Sequence, residues 1–159
     1  MHKHFVNEQT SYLSSFRIFL SHENEAKFYT RNQSIIIKDI ATFDSKATML
    51  SSIELFVASF ASSYILAIKK EAKKEKIILE EIEARFICHL ENPLELLGVV
   101  GYEDEATIKA LNGDVYIYSE MDANPIKLLA QRALHKSIIY KMLNTQHISV
   151  HIEPKIISV

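Results

Sequence analysis

Apolar residues recur at spacings of three and four from Ile53 onward: Ile53, Phe56, Phe60, Tyr64 and Ile68 form one helical stripe. Ser51-Ser52-Ile53-Glu54 ahead of them has the form of a capping box. In that arrangement a Ser hydroxyl accepts from a free N–H and a Glu three residues on reaches back. Beyond the stripe, residues 69–76 carry Lys69, Lys70, Lys73, Lys74 and Lys76 with Glu71 and Glu75. Lysines there suit the partial negative charge at a helix C-terminus. The pattern predicts one helix over 52–74, roughly 33 Å long. Small residues Ala58, Ser59, Ala61, Ser62 and Ser63 fill much of its remaining surface, which allows close approach of another element.

The flanking segments read as strands. Residues 16–20, 26–30 and 35–38 are short, aromatic or β-branched, with Arg31-Asn32-Gln33 as a tight turn. They predict an antiparallel β-meander. From 77 to 90 the chain alternates: Ala84, Phe86, Cys88 and Leu90 share one face, Glu83, Arg85, His89 and Glu91 the other, as in a half-buried strand. Asn92-Pro93 breaks it, and 94–101 forms an apolar connection. The acidic Glu103-Asp104-Glu105 follows, with a short helical turn. Asn112-Gly113 is a turn signal and 115–118 another strand.

Asn124 can cap a second helix with Pro125 at its first position, where the missing N–H costs nothing. Ile126, Leu129, Ala133, Ile138 or Ile139, and Met142 keep helical spacing to Leu143. Asn144-Thr145-Gln146 turns the chain, and Ile148, Val150 and Ile152 alternate as a last strand. The order predicts one α+β domain over 1–159, with 1–12 as a flexible lead-in.

Composition narrows the chemistry. The 159 residues hold 18 Lys+Arg against 20 Asp+Glu, a formal net charge of −2, so nothing favours nucleic acid. At 48% hydrophobic the chain can bury a core. The longest uncharged run of interest, 55–68, is roughly 14 residues against the roughly 20 that span a bilayer. No export signal opens the sequence, so a cytoplasmic protein without a membrane partner is expected. A single Cys excludes an intrachain disulfide and a Cys-rich zinc site. His2 and His4 lie in the lead-in, and His147 and His151, four strand residues apart, stand roughly 13 Å from each other. No metal site and no cofactor are expected.

The segment Ser51-Ser52-Ile53-Glu54-Leu55-Phe56-Val57-Ala58-Ser59-Phe60-Ala61-Ser62-Ser63-Tyr64 resembles the central-helix motif of the OsmC/Ohr family of osmotically inducible and organic-hydroperoxide-resistance proteins. Glu91-Asn92-Pro93 with Leu96-Leu97-Gly98 resembles the loop between two strands of that family's second sheet segment. His135-Lys136-Ser137-Ile138-Ile139-Tyr140-Lys141-Met142-Leu143 resembles its second signature helix. The resemblance spans 28–153. It implies a two-layer α+β fold in an intertwined homodimer, with strands from both chains completing each sheet. It implies interface active sites where a thiolate attacks a hydroperoxide, becomes a sulfenic acid, and is trapped as a disulfide by a second cysteine. A dithiol reductant then resets the pair.

The chain departs from this pattern at the chemistry. The two cysteine positions fall on Ser63 and Ser137, and the Pro after the second is Ile138. A hydroxyl is scarcely ionised near neutral pH and has no sulfenic oxidation ladder. The Ohr subgroup's helix Glu, salt-bridged to an Arg, corresponds to Ile53; Arg17 and Arg31 both remain open for its partner. The resemblance therefore implies a scaffold without thiol peroxidase chemistry. It would be structural, or would bind a hydrophobic small molecule in a pocket of Phe60, Tyr64, Leu96, Leu97 and Ile138. Alternatives are a one-cysteine peroxidase using Cys88, a hydrolase using Ser63 with His135 as the nearest base, or a subunit paired with a cysteine-containing paralogue. Cys88 between Phe86 and Leu90 also fits simple strand packing.

Overall fold

Short β-branched and aromatic runs at the N-terminal end pair into a small sheet of the order β1-β2-β3, with both pairings antiparallel. The strands are β1 (Arg17–Leu20), β2 (Ala26–Tyr29) and β3 (Ser34–Ile37). The structure is a computed structural model describing residues 15–20, 25–30, 32–44 and 46–158. The lead-in with His2 and His4, and Arg31 of the expected turn, lie outside the described residues. Residues 1–51 form one compact unit and 52–159 a second. The first unit is the meander. Phe28 sits between Ile18 and Ile35 in register, and the Arg17 guanidinium lies over the Tyr29 ring, 5.6 Å from its centroid.

The second unit is built on α1 (Ser52–Lys74), which spans the residues its periodicity predicts. α1 is followed by β4 (Ile82–Glu91), a 3₁₀ turn (Glu95–Leu97), β5 (Thr107–Tyr118), α2 (Ala123–Lys136), α3 (Ile138–Thr145) and β6 (Ser149–Ile157). β5 pairs antiparallel with β4 and parallel with β6, so α2 and α3 form the crossover that a parallel pair requires. The helices cover one face of this sheet. Tyr64, Ile68 and Ala72 of α1 meet Ile126, Leu129, Ala130 and Ala133 of α2 over Val115 and Ile117 of β5. Phe60, Leu111 and Leu143 form a second buried cluster at the other end. This is the expected α+β arrangement of meander, long helix, strands and further helices.

Four local expectations change. The alternating strand starts at Ile82 rather than 77, because Lys76 takes φ 57° and turns the chain off α1. No helical turn follows Glu103-Asp104-Glu105; β5 begins at Thr107 instead. Asn112-Gly113 is no turn but the middle of β5, with Gly113 opposite Phe86 in register. A Cβ at Gly113 would stand 2.5 Å from the Phe86 ring, so glycine is there for close approach and not for a bend. The second helix begins at Ala123, two residues before Pro125, and it breaks at Ser137 instead of running to Leu143.

Among the described residues, α1 is the one helix that by length and composition could cross a membrane, with an 18-residue window of mean hydropathy 1.4. Its buried stripe of Phe60, Tyr64 and Ile68 is packed in the second unit's core. Leu66, on another side, is 65% exposed.

Candidate functional site

The helix break at Ser137 creates the site. Ser137 is extended (φ −65°, ψ 124°), ending α2 and capping α3, where its hydroxyl accepts from the Tyr140 N–H at 3.3 Å. A short polar side chain that can bond the backbone is what an N-cap requires. The break turns the Ser137 side chain toward the middle of α1. There its Oγ lies 3.2 Å from the Oγ of Ser63, a residue 74 positions earlier. Ser137 is 3% exposed.

The two hydroxyls open onto a cleft of about 280 Å³ lined by Ser63, Leu66, Ala67, Lys70, Glu71, Lys74, Lys136, Ser137 and Ile138. The α1 members follow from helix geometry, since positions 63, 67, 70, 71 and 74 share one face. Glu71 is the buried charge of the site, 4% exposed. One carboxylate oxygen accepts from Lys74 Nζ at 2.8 Å and the other from Lys136 Nζ. Hydrogen bonds from Lys136 and then Lys74 outweigh desolvation and hold the Glu71 carboxyl down at about 2, from an ordinary value of 4.5. Just past the end of α1, Glu75 pairs with Arg132, so one ion pair from α1 and one from the residue after it reach α2.

Because the folded value lies below the unfolded one, ionised Glu71 stabilises the fold fully above the unfolded value. That contribution is lost as the pH falls toward the folded one. Between about pH 5 and pH 2 the natural chain should lose more stability than Glu71→Gln, measured by urea midpoints at each pH. Parallel acid limbs for the two proteins would contradict this assignment.

The other sequence-predicted residues separate into groups. Ile138 lines the cleft and is 82% exposed. Phe60 and Tyr64 pack in the core at 0% and 1% exposure and are not part of this cleft's lining. The Tyr64 hydroxyl donates to the Ala130 carbonyl at 3.2 Å, and burial pushes its pKa up to about 12. Leu96 and Leu97 lie on the 3₁₀ turn and are not part of the cleft lining.

Cys88 faces inward on β4, half-buried against the cluster of Phe60, Leu111 and Leu143. Desolvation pushes its thiol pKa up, which disfavours the reactive thiolate. His135 is exposed and set edge-on to Tyr140, with ring centroids 5.5 Å apart. His151 bonds Ser149 at 2.9 Å on the exposed face of β6, while His147 precedes that strand at φ 58°. Among the described residues no group of three His, Cys, Asp or Glu side chains could hold a metal ion.

From the sequence alone the lysines of 69–76 fit either a solvated helix end or an anion patch. Their shared face with Ser63 was the signal available, but Lys136 on α2 had to be brought in by the fold. In chemical terms the cleft has a hydroxyl pair, a saturated carboxylate, three ammonium groups and an apolar wall of Leu66, Ala67 and Ile138. Its lining holds no thiol.

A family model described as OsmC-like protein matches residues 45–153. No curated protein matches the chain. Among solved structures, an OsmC-like protein from Mycoplasma pneumoniae superposes with a TM-score of 0.73 at 12% identity, covering 90% of this chain and 96% of that one. The organic hydroperoxide resistance protein OhrB of Bacillus subtilis gives a TM-score of 0.63 at 13% identity, covering 92% and 98%. An organic hydroperoxide resistance protein from Legionella pneumophila gives 0.61 at 16% identity, covering 93% and 98%.

Proposed function

Since the chain belongs to the OsmC-like protein family, we propose that it is a single-domain cytoplasmic homodimer that keeps this scaffold without thiol peroxidase chemistry. It binds a hydrophobic small molecule in the cleft over Ser63 and Ser137. The observation that carries the reading is the 3.2 Å contact between those two hydroxyls, at the positions where the family resemblance puts its reactive thiols. Two of the similar structures are named for organic hydroperoxide resistance, so hydroperoxide reduction is the activity to test first. Neither hydroxyl can form a sulfenic acid, and the one thiol, Cys88, is half-buried with a raised pKa.

The test is consumption of cumene hydroperoxide with dithiothreitol as reductant, alongside native mass spectrometry. The natural chain and Cys88→Ser should both run at the rate of buffer alone, and the spectrum should show a dimer. Dithiol-dependent turnover that disappears in Cys88→Ser would replace this reading with a one-cysteine peroxidase. A monomer would remove the dimer from it.

A further inference from the structure

The lysines of the cleft are unevenly matched. Glu71 is the one carboxylate in its lining, and its two oxygens are occupied by Lys74 and Lys136. Lys70, exposed on the same wall, has no carboxylate partner among the described residues. Lys74 and Lys136 each spend one donor on Glu71, and an ammonium has three. The cleft is thus net cationic at its rim, with the Ser63 and Ser137 hydroxyls between the lysines and the apolar wall of Leu66, Ala67 and Ile138. Leu66 and Ile138 are 65% and 82% exposed, an apolar surface beside uncompensated positive charge.

From this we infer that the ligand is an amphipathic anion of medium chain length. Its head group is held by Lys70 and the spare donors of Lys74 and Lys136, and its alkyl part lies on Leu66, Ala67 and Ile138. This rests on the binding reading above and adds the charge and size of the ligand. The volume of about 280 Å³ lies just below the usual range of small-molecule pockets, roughly 300–1,000 Å³, so a short alkyl chain suits it better than a long one. Glu71 is the element of selectivity. Buried and ionised, it fixes two lysines in place and repels any head group that would seat itself deeper. A carboxylate and a phosphate head share this chemistry, and the two are separated by the probes.

Isothermal titration calorimetry at low salt with octanoate, octyl phosphate, octan-1-ol and octyltrimethylammonium tests it. At least one of the two anions should bind about tenfold or more tightly than the alcohol, and the cation should not bind. The anion's affinity should fall as salt rises. Lys70→Gln should lower the anion's affinity about tenfold and leave the alcohol unchanged. Ser63→Trp, which fills the cleft, should abolish binding of both. Alcohol binding as tight as anion binding would overturn the anion inference and leave the apolar-ligand reading standing. Absence of binding by all four probes would overturn both. Anion binding untouched by Ser63→Trp and Lys70→Gln would put the ligand elsewhere and overturn the inference.

Discussion

The Ser63→Cys/Ser137→Cys double variant is expected to close an intrachain disulfide and to consume cumene hydroperoxide with dithiothreitol about a hundredfold faster than the natural chain. The two side-chain oxygens are 3.2 Å apart, so the sulfurs that replace them need to close by about 1 Å to bond. Ser137 lies at the break between α2 and α3, with extended backbone at φ −65° and ψ 124°. Lys70, Lys74 and Lys136 line the same cleft and favour a thiolate. The thiolate would take one peroxide oxygen and release the alcohol. The second thiol would then displace water from the sulfenic acid, and the dithiol would reduce the disulfide. Thiol titration under denaturing conditions reads the first part: three free thiols should fall to one after a single peroxide equivalent. Retention of all three would mean that the hydroxyl contact does not translate into a thiol contact. A disulfide without turnover would show that the scaffold has lost more than its sulfurs, with Ile53 and Ile138 the first residues to revert.

Phe60→Ala should cost about 3–5 kcal/mol, the largest single loss of stability that we expect from this fold. Phe60 is fully buried, edge-on to Phe86 with ring centroids 5.5 Å apart, and packed with Leu111 and Leu143. It therefore joins α1, β4, β5 and α3 through one side chain. Truncation removes the transfer free energy of the ring and leaves a cavity that Gly113, opposite Phe86, cannot help to fill. Urea denaturation should show a lower midpoint at an unchanged slope. Phe60→Leu should lose much less, because most of the volume remains. A cost near 1 kcal/mol for Phe60→Ala would mean that the neighbouring helices collapse into the space.

Much of the fold was legible along the chain, for a definite reason. A helix that buries one stripe must repeat its apolar residues at 3.6, so Ile53 to Ile68 marked the body of α1, and the lysine run marked its end near Lys74. A strand with one dry face must alternate, so the Ala84, Phe86, Cys88 and Leu90 face of β4 was readable. Both patterns are local consequences of burial. The family signatures are likewise short stretches of contiguous sequence. The lone cysteine outside them was sequence information as well, and it argues against the family's disulfide chemistry without reference to any coordinate.

What the tertiary structure decided depends on residues far apart in the chain. Asn112-Gly113 carries the local signature of a turn, yet it continues a strand, because Phe86 across the ladder needs the space a side chain would take. Ser137 has helical neighbours on both sides, yet it breaks the helix, where its hydroxyl can cap α3 and meet Ser63. Lys136 reaches Glu71 only after α2 has packed on α1. Local propensity is set by a few neighbouring residues, whereas close approach, capping across a break and pairing of buried charge are set by the partner element. The sequence by itself identified the scaffold and the missing thiols. Only the packing of α2 against α1 turned two distant serines and a run of lysines into one cleft.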